Sequence, residues 1–235
     1  MSIQVVNLGL PKSGTTTLAR ALREAGYEVA DHRFGRKALP HPTLRMAFVA
    51  ERIYQGYFET GDPMARLIGV EAISEMSMLR GDSSLWPQMD FALILAIKAH
   101  HPNVKFLASR RDAFAMSKSM LAWSNLGTTR LPMAQIPGLP AGYGQTTKER
   151  MQWIDGHYTA LAAFFAGRDD FLEFEISDPD APHQIGAFLG RDLPWWGKLN
   201  ANPILTTDSD PARSQDSAQA SSQASSQASS QEGVS

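Results

Sequence analysis

Residues 3–26 read IQVVNLGLPKSGTTTLARALREAG, which joins a short β-branched run, a turn rich in Gly, Pro and Ser, and a helical repeat. The run over residues 3–9 predicts a strand, and the spacing of Leu18 and Leu22 predicts a helix over residues 16–25. Backbone N–H groups at the start of such a helix favour a bound anion, because the helix dipole adds positive potential there. The beginning of the chain therefore predicts a strand, an anion-binding loop and a helix.

The same order of strand and helix recurs along the chain. The run VKFLAS, residues 104–109, predicts another strand, and a helix is predicted to begin near Asp112. Further strands are predicted over 27–30, 68–73 and 171–176, and further helices over 43–55, 88–100, 147–165 and 182–189. This alternation indicates an α/β fold of three layers, with a central, mostly parallel sheet flanked by helices and ligands at the carboxyl ends of the strands.

Residues 125–145 contain seven Gly or Pro residues. This composition predicts a long mobile loop, and such loops in compact domains commonly cover a functional site. Trp123, which precedes the segment, is a candidate for lining the pocket that binds a substrate.

The composition is that of a globular protein. The chain has 235 residues, 43% hydrophobic and 20% charged, with a net charge of -2 and no cysteine. The absence of cysteine excludes disulfides, thiolate metal sites and cysteine nucleophiles, and the charge balance provides no broad basic field for nucleic acid. We find no secretory signal, and the longest apolar stretch, residues 91–97, is too short to span a bilayer, so we expect a cytoplasmic protein without a membrane span.

The composition changes near residue 208. From there the chain is rich in Asp, Ser, Gln and Ala, and ASSQ repeats in tandem over residues 220–231. Such a segment cannot bury enough apolar surface to offset the entropy lost on ordering. We therefore predict one folded domain over residues 1–207 and a disordered tail over residues 208–235.

The first loop differs from a nucleoside-triphosphate loop in the position of its lysine. Gly9 and Gly14 have the G-x-x-x-x-G spacing, but Thr15 stands where that motif places Lys, and Lys12 lies inside the loop instead. The loop position still predicts an anion site. The displaced lysine counts against a kinase or hydrolase that uses ATP and magnesium, which stays open as an alternative.

The hexapeptide P-K-S-G-T-T resembles the 5′-phosphosulfate loop of the sulfotransferase family, whose members use 3′-phosphoadenosine-5′-phosphosulfate (PAPS) as the sulfuryl donor. The resemblance implies a catalytic domain with a phosphate loop of the P-loop type and a role for Lys12 at the bridging and sulfuryl oxygens. The implied donor-binding residues of the loop are Pro11, Lys12, Ser13, Gly14, Thr15 and Thr16.

A second part of the resemblance follows the strand at residues 104–109. In the family, an Arg at the end of this strand and a Ser eight residues later bind the 3′-phosphate of the donor. Arg111 and Ser119 have this spacing, and Arg110 with Ser117 ranks second. A guanidinium suits a terminal phosphate because its planar fork donates two hydrogen bonds.

The resemblance covers residues 3 to about 202. Its later part runs through the helical stretch at residues 153–158, a Gly-Arg turn at residues 167–168 and the strand after it. The chain departs from the family in carrying Thr17 where Trp is frequent, and it has no clear match to the Arg-Lys-Gly element of the animal cytosolic branch.

The implied reaction is in-line sulfuryl transfer to an acceptor hydroxyl or amine, in which negative charge grows on the leaving oxygen. Lys12 would stabilise that charge, and no metal is expected. A general base should accept the proton of the acceptor. The candidates are Glu75, Asp82 and His32, and the sequence alone leaves the choice open.

The acceptor is not specified by the sequence. Sugar, lipid, phenol and peptide hydroxyls all stay open, as does the oligomeric state. A non-catalytic relative that retains donor binding is a further alternative. His100 and His101 are expected at a helix end and His157 in a packing role.

Overall fold

The structure, a computed structural model, describes residues 2–35 and 41–197. The predicted domain end at residue 207 and the predicted tail over residues 208–235 lie outside these described residues.

The described residues form seven strands. These are β1 (Val5–Asn7), β2 (Val29–Asp31), β3 (Ala72–Glu75), β4 (Met78–Arg80), β5 (Ser83–Leu85), β6 (Lys105–Arg110) and β7 (Phe171–Glu175). Five of them form one sheet in the order β2-β3-β1-β6-β7, and every pairing in it is parallel. β4 and β5 form a separate antiparallel hairpin.

The described residues also form seven α-helices. These are α1 (Thr15–Glu24), α2 (Val49–Thr60), α3 (Phe91–His100), α4 (Ala113–Leu121), α5 (Leu131–Met133), α6 (Thr147–Phe164) and α7 (Ala181–Leu189). Side chains fix several of their starts. Asp90 accepts from the first N–H groups of α3, Asp112 caps α4, and Thr146 with Glu149 forms a capping box at α6.

The sheet buries both of its faces, which explains its nearly continuous apolar strands. Along β1, Val6 packs into a large cluster with residues of α3 and α6, whereas its neighbour Val5 packs with residues of α1 and α7 on the opposite face. The same alternation separates Phe106 from Leu107 in β6. The prediction of an α/β fold with a central, mostly parallel sheet flanked by helices is thus confirmed.

Several predicted elements have different boundaries. β2 and β3 begin two and four residues later than the predicted strands at 27–30 and 68–73. The predicted helix at 43–55 is interrupted, because Met46 has a positive φ of 60° that an α-helix does not tolerate. Before Met46 there is a single 3-10 turn, Pro42–Leu44, and α2 begins after it, at Val49.

Two other expectations are corrected. The predicted helix at 88–100 begins only at Phe91. The predicted loop at 125–145 contains a π-helix over Leu126–Arg130 as well as α5. It is anchored by Leu126, Leu131, Ile136 and Leu139, all buried in the main cluster.

The helices of residues 2–35 and 41–197 include none whose length and apolar character would allow it to cross a membrane.

Candidate functional site

The loop between β1 and α1 has an unusual backbone conformation. Lys12 has a φ of 72° and Gly14 a φ of 104°, and α1 begins at Thr15. A left-handed conformation in a residue with a side chain costs about 1 kcal/mol and persists only where its surroundings impose it. Gly14 caps α1, and Thr15 and Thr16 are its first two residues. Among residues 2–35 and 41–197, no hydrogen-bond acceptor is found for the backbone N–H groups of these three residues, so they can bind an anion.

Two glycines allow the loop to pack closely. A side chain at Gly9 would overlap the backbone and hydroxyl oxygens of Ser109, and one at Gly14 would overlap Ile176. The fold therefore requires glycine at both positions, because a larger residue would collide with Ser109 or Ile176.

A buried amide fixes the first part of the loop. The side chain of Asn7, at the end of β1, donates to Ser74 O at 2.8 Å and to Ser109 Oγ at 3.0 Å. Its Oδ1 accepts from Ser109 N at 2.9 Å and from Gly9 N at 3.3 Å. This one side chain thus joins the ends of β1, β3 and β6.

The loop is further tied to β6 and α6. Ser13 Oγ lies 2.7 Å from Ser109 Oγ, and the Tyr158 hydroxyl donates to Ser109 O at 2.7 Å while it accepts from Leu10 N at 3.3 Å. All of these side chains are buried. A fully paired buried network of this kind holds a backbone in one conformation, because breaking it would leave polar groups unpaired.

His157 supports the same loop from α6. Its Nε2–H donates to Leu8 O at 2.8 Å. Burial lowers the pKa of His157 to about 4, although the hydrogen bond to Leu8 acts in the opposite direction. The imidazole is therefore neutral at pH 7, and the expected packing role is consistent with its position.

The lowered pKa of His157 predicts that the free energy of unfolding decreases in acid. The pKa in the folded state, about 4, lies below the ordinary value of 6.5, so the stability is complete above pH 6.5 and falls as the pH drops toward 4, by about 3 kcal/mol. We expect His157→Gln, whose Nε2 can still donate to Leu8 O, to flatten this part of the profile. Urea unfolding of wild type and variant between pH 7 and 4 measures it. His183→Gln, at an exposed histidine, is the control, and parallel profiles for wild type and His157→Gln would contradict the prediction.

The Lys12 ammonium lies over an aromatic ring. Its Nζ is 3.8 Å from the ring centroid of Trp123, which follows α4 and is 49% exposed. Burial lowers the pKa of Lys12 and the charge of Arg111 lowers it further, while Glu75 raises it. Within residues 2–35 and 41–197, Lys12 has no ion pair. Trp123 thus lies beside the lysine of the loop, as expected for a residue near the site.

Glu75 ends β3 next to the loop. It is 7% exposed, and its carboxylate accepts hydrogen bonds from the backbone N–H and the hydroxyl of Ser77. Burial raises the pKa of Glu75 to about 7, Ser77 opposes this, and the neighbouring Asp31 raises it further. Glu75 is therefore a buried carboxyl that exchanges a proton near neutral pH and lies within electrostatic reach of Lys12.

His32 is connected to Glu75 through Ser77. Its Nδ1–H donates to Ser77 O at 2.8 Å, and its own backbone N–H donates to Glu75 O at 3.0 Å. The structure thus brings two of the three base candidates, Glu75 and His32, to the edge of the sheet where the loop lies.

Asp82 has different surroundings. It lies in the exposed turn between β4 and β5, a hairpin that the sequence did not reveal. No hydrogen bond or ion pair of the described residues joins Asp82 to Lys12, Glu75 or His32. Its candidacy as the base has no support from contacts.

Arg111 and Arg110 differ in their partners. Arg110 is held by Glu173 at 2.8 Å and Asp155 at 3.5 Å, and both carboxylates raise its pKa. Arg111 forms no ion pair among residues 2–35 and 41–197, and its charge acts on Lys12. Arg111 is thus the guanidinium that can accept an external anion.

The two serines of α4 differ in the same way. Both are buried, but Ser117 accepts from Arg150 Nε at 2.9 Å, whereas no hydrogen bond is found for Ser119 in the described part of the chain. The spacing that ranked Arg111 and Ser119 first therefore selects the pair whose polar groups are free of protein partners.

The described residues contain no group of three or more His, Asp or Glu side chains arranged to hold a metal ion. No protein-family model matches the chain, and no curated protein matches it. A function is therefore inferred from its own residues and their geometry.

The sequence predicted no contacts for the residues that support the site. Asn7, Ser109 and Tyr158 join the loop to its neighbours, and Ser77 joins Glu75 to His32. One usable signal was the polar Asn7 at the end of an apolar strand, because a buried amide must be paired. The others depend on contacts between residues far apart in sequence.

Proposed function

We propose that the chain is a sulfotransferase that transfers a sulfuryl group from PAPS to an acceptor hydroxyl or amine. The observation that supports this most is the location of Lys12. Its ammonium is unpaired among the described residues, lies inside the loop before α1, and is within electrostatic reach of both Glu75 and Arg111. A cation there, with a titratable carboxyl beside it, suits the transfer of a charged group.

The donor would be bound through its two charged groups, the 5′-phosphosulfate and the 3′-phosphate. The N–H groups at the start of α1 suit the 5′-phosphosulfate, together with the hydroxyls of Thr15 and Thr16. Arg111 and Ser119 suit the 3′-phosphate, because both groups lack protein partners in the described residues. PAPS supplies the sulfuryl group, and the loop supplies its orientation.

Sulfuryl transfer replaces one bond at sulfur with another. The acceptor oxygen forms a bond to sulfur as the bond from sulfur to the bridging oxygen breaks, and 3′-phosphoadenosine-5′-phosphate leaves with the electron pair. Lys12 stabilises the negative charge on the leaving oxygen. Glu75 accepts the proton of the acceptor, for which a pKa near 7 is well matched. The Ser77 hydroxyl orients the Glu75 carboxylate, and His32 donates to the carbonyl oxygen of Ser77.

Calorimetric titration in EDTA tests the donor site. We expect 3′-phosphoadenosine-5′-phosphate to bind the full chain without magnesium and more tightly than ADP, since ADP lacks the 3′-phosphate. Arg111→Ala should weaken the binding by about 100-fold, because a charge-assisted bidentate contact is lost, and should leave the affinity for ADP nearly unchanged.

Two further variants sharpen the titration. Ser119→Ala should show the same selectivity with a smaller effect, and Lys148→Ala, at an exposed lysine, should bind as the wild type does. If binding requires ATP and magnesium, a kinase or hydrolase replaces the sulfotransferase. Donor binding without turnover of any acceptor would identify a non-catalytic relative.

A further inference from the structure

Two guanidinium groups lie against one aromatic ring near the proposed site. The Cζ atoms of Arg33 and Arg80 are 4.9 Å and 5.8 Å from the ring centroid of Phe48. The ring of His32 meets the same ring edge-on, with the centroids 5.3 Å apart. Phe48 itself is 7% exposed. We call these four residues, His32, Arg33, Phe48 and Arg80, the Phe48 cluster.

The charges of the Phe48 cluster are not compensated. Neither Arg33 nor Arg80 forms an ion pair within residues 2–35 and 41–197, and the one hydrogen bond found there for their side chains runs from Arg33 Nε to Met46 O at 3.2 Å. Each guanidinium is attracted by the ring, but neither has, among the described residues, a carboxylate that neutralises its charge. A bound anion would supply the missing negative charge.

Acidic residues close to the cluster along the chain do not provide that anion. Asp31 ends β2, Glu51 lies in α2 and Asp82 lies in the hairpin turn, and none of the three forms an ion pair within the described residues. Both guanidinium groups are also exposed, so a ligand can reach their hydrogen-bond donors.

The cluster lies at the edge of the sheet that carries the loop. Arg33 comes two residues after β2, at the carboxyl end of a strand of the parallel sheet. Arg80 ends β4 of the separate hairpin, which begins three residues after the carboxyl end of β3. Direct contacts connect the cluster to the proposed base, because His32 donates to Ser77 and Ser77 donates to Glu75. A molecule that presents a hydroxyl to Glu75 would therefore lie near His32, the member of the cluster that is joined to Glu75 through Ser77.

We infer that the Phe48 cluster binds a carboxylate or sulfate group carried by the acceptor. This inference rests on the proposed function for the identity of the ligand as an acceptor. An oxyanion matches the donors, since two guanidinium forks can each give two parallel hydrogen bonds to its oxygens. The acceptor class is then a hydroxylated organic acid or a sulfated or uronic-acid sugar, and a neutral alcohol would bind less well.

The test compares matched acids and neutral molecules. The probes are 4-hydroxyphenylacetate against its amide, and glucuronate against glucose, titrated by calorimetry into the full chain at low salt with and without saturating 3′-phosphoadenosine-5′-phosphate. We expect at least one acid to bind tenfold or more tightly than its neutral partner. In an Arg33→Gln, Arg80→Gln double variant this preference should fall below twofold, and each single variant should fall between.

Control variants separate charge from geometry. Arg33→Lys with Arg80→Lys keeps the charge without the planar forks and should recover only part of the preference. Lys148→Gln should keep all of it. An equal affinity for every acid and its neutral partner, or a preference that survives in the double glutamine variant, would overturn the inference.

The two proposals fail in different ways. Loss of the acid preference with intact binding of 3′-phosphoadenosine-5′-phosphate removes the acceptor inference alone. If the nucleotide does not bind but the acid preference is present and depends on both arginines, the anion site stands and the sulfotransferase assignment fails.

Discussion

Turnover of a Lys12→Met variant is expected to fall by about 100- to 1,000-fold, while its affinity for 3′-phosphoadenosine-5′-phosphate falls less than about tenfold. We expect this difference because, in the proposed reaction, the ammonium acts on charge that grows during the transfer, whereas the α1 N–H groups and Arg111 would provide most of the nucleotide binding. Methionine has a length similar to that of lysine and preserves a contact with Trp123. The comparison therefore removes the charge with little change in packing.

The contact with Trp123 supplies a second measurement. The ammonium lies 3.8 Å from the indole centroid, so the emission of Trp123 should change when nucleotide binding draws Lys12 away from the ring, and this change should be absent in Lys12→Met. Lys148→Met is the control for both measurements, and Trp123→Phe identifies the emitting residue. Full turnover in Lys12→Met would refute the role of the lysine, whatever the emission shows.

The architecture was predictable where the pattern was local. The run at residues 3–9, the helical repeat after it and the apolar strand at 104–109 each contain their own signal, and their alternation indicated a parallel sheet. The hairpin β4–β5 was missed because its strands, MLR and SSL, contain no β-branched or aromatic residue and no apolar run. The segment at 125–145 was predicted as a loop because of its many Gly and Pro residues, and this prediction gave no weight to its four apolar residues that are buried in the structure.

The candidate site was predictable as far as one loop and one strand end. Lys12 and Arg111 belong to local motifs, so the sequence could place each of them. The proximity of Lys12 to Glu75 depends on the strand order, which brings the carboxyl end of β3 beside β1. The burial that raises the pKa of Glu75 is likewise a property of the folded chain, and it distinguishes this carboxyl from Asp82 in the exposed turn.

A Glu75→Gln variant is expected to lose turnover by about 100- to 10,000-fold, because the amide cannot accept the proton of the acceptor. Wild-type turnover should rise with pH through about 7 as Glu75 loses its proton, and the variant should lack this rise. Rate measurements from pH 5.5 to 8.5 with a common acceptor test both expectations. Glu51→Gln, at an exposed carboxylate, is the control. If Asp82→Asn abolishes the rise and Glu75→Gln retains it, the base is Asp82.

The same substitution has a predicted effect on stability that does not depend on catalysis. The pKa of Glu75 in the folded chain, about 7, exceeds the ordinary value of 4.5, so its contribution to stability is complete below pH 4.5 and is lost as the pH rises through 7, by about 3 kcal/mol. Glutamine is neutral throughout and can still accept from Ser77. We therefore expect Glu75→Gln to match the wild type near pH 4.5 and to unfold at a higher temperature above pH 7.5, measured by thermal melts at both values. A variant that is less stable than the wild type at pH 8 would mean that Glu75 is ionised at little cost, which would remove the physical basis for its role as a base near neutral pH.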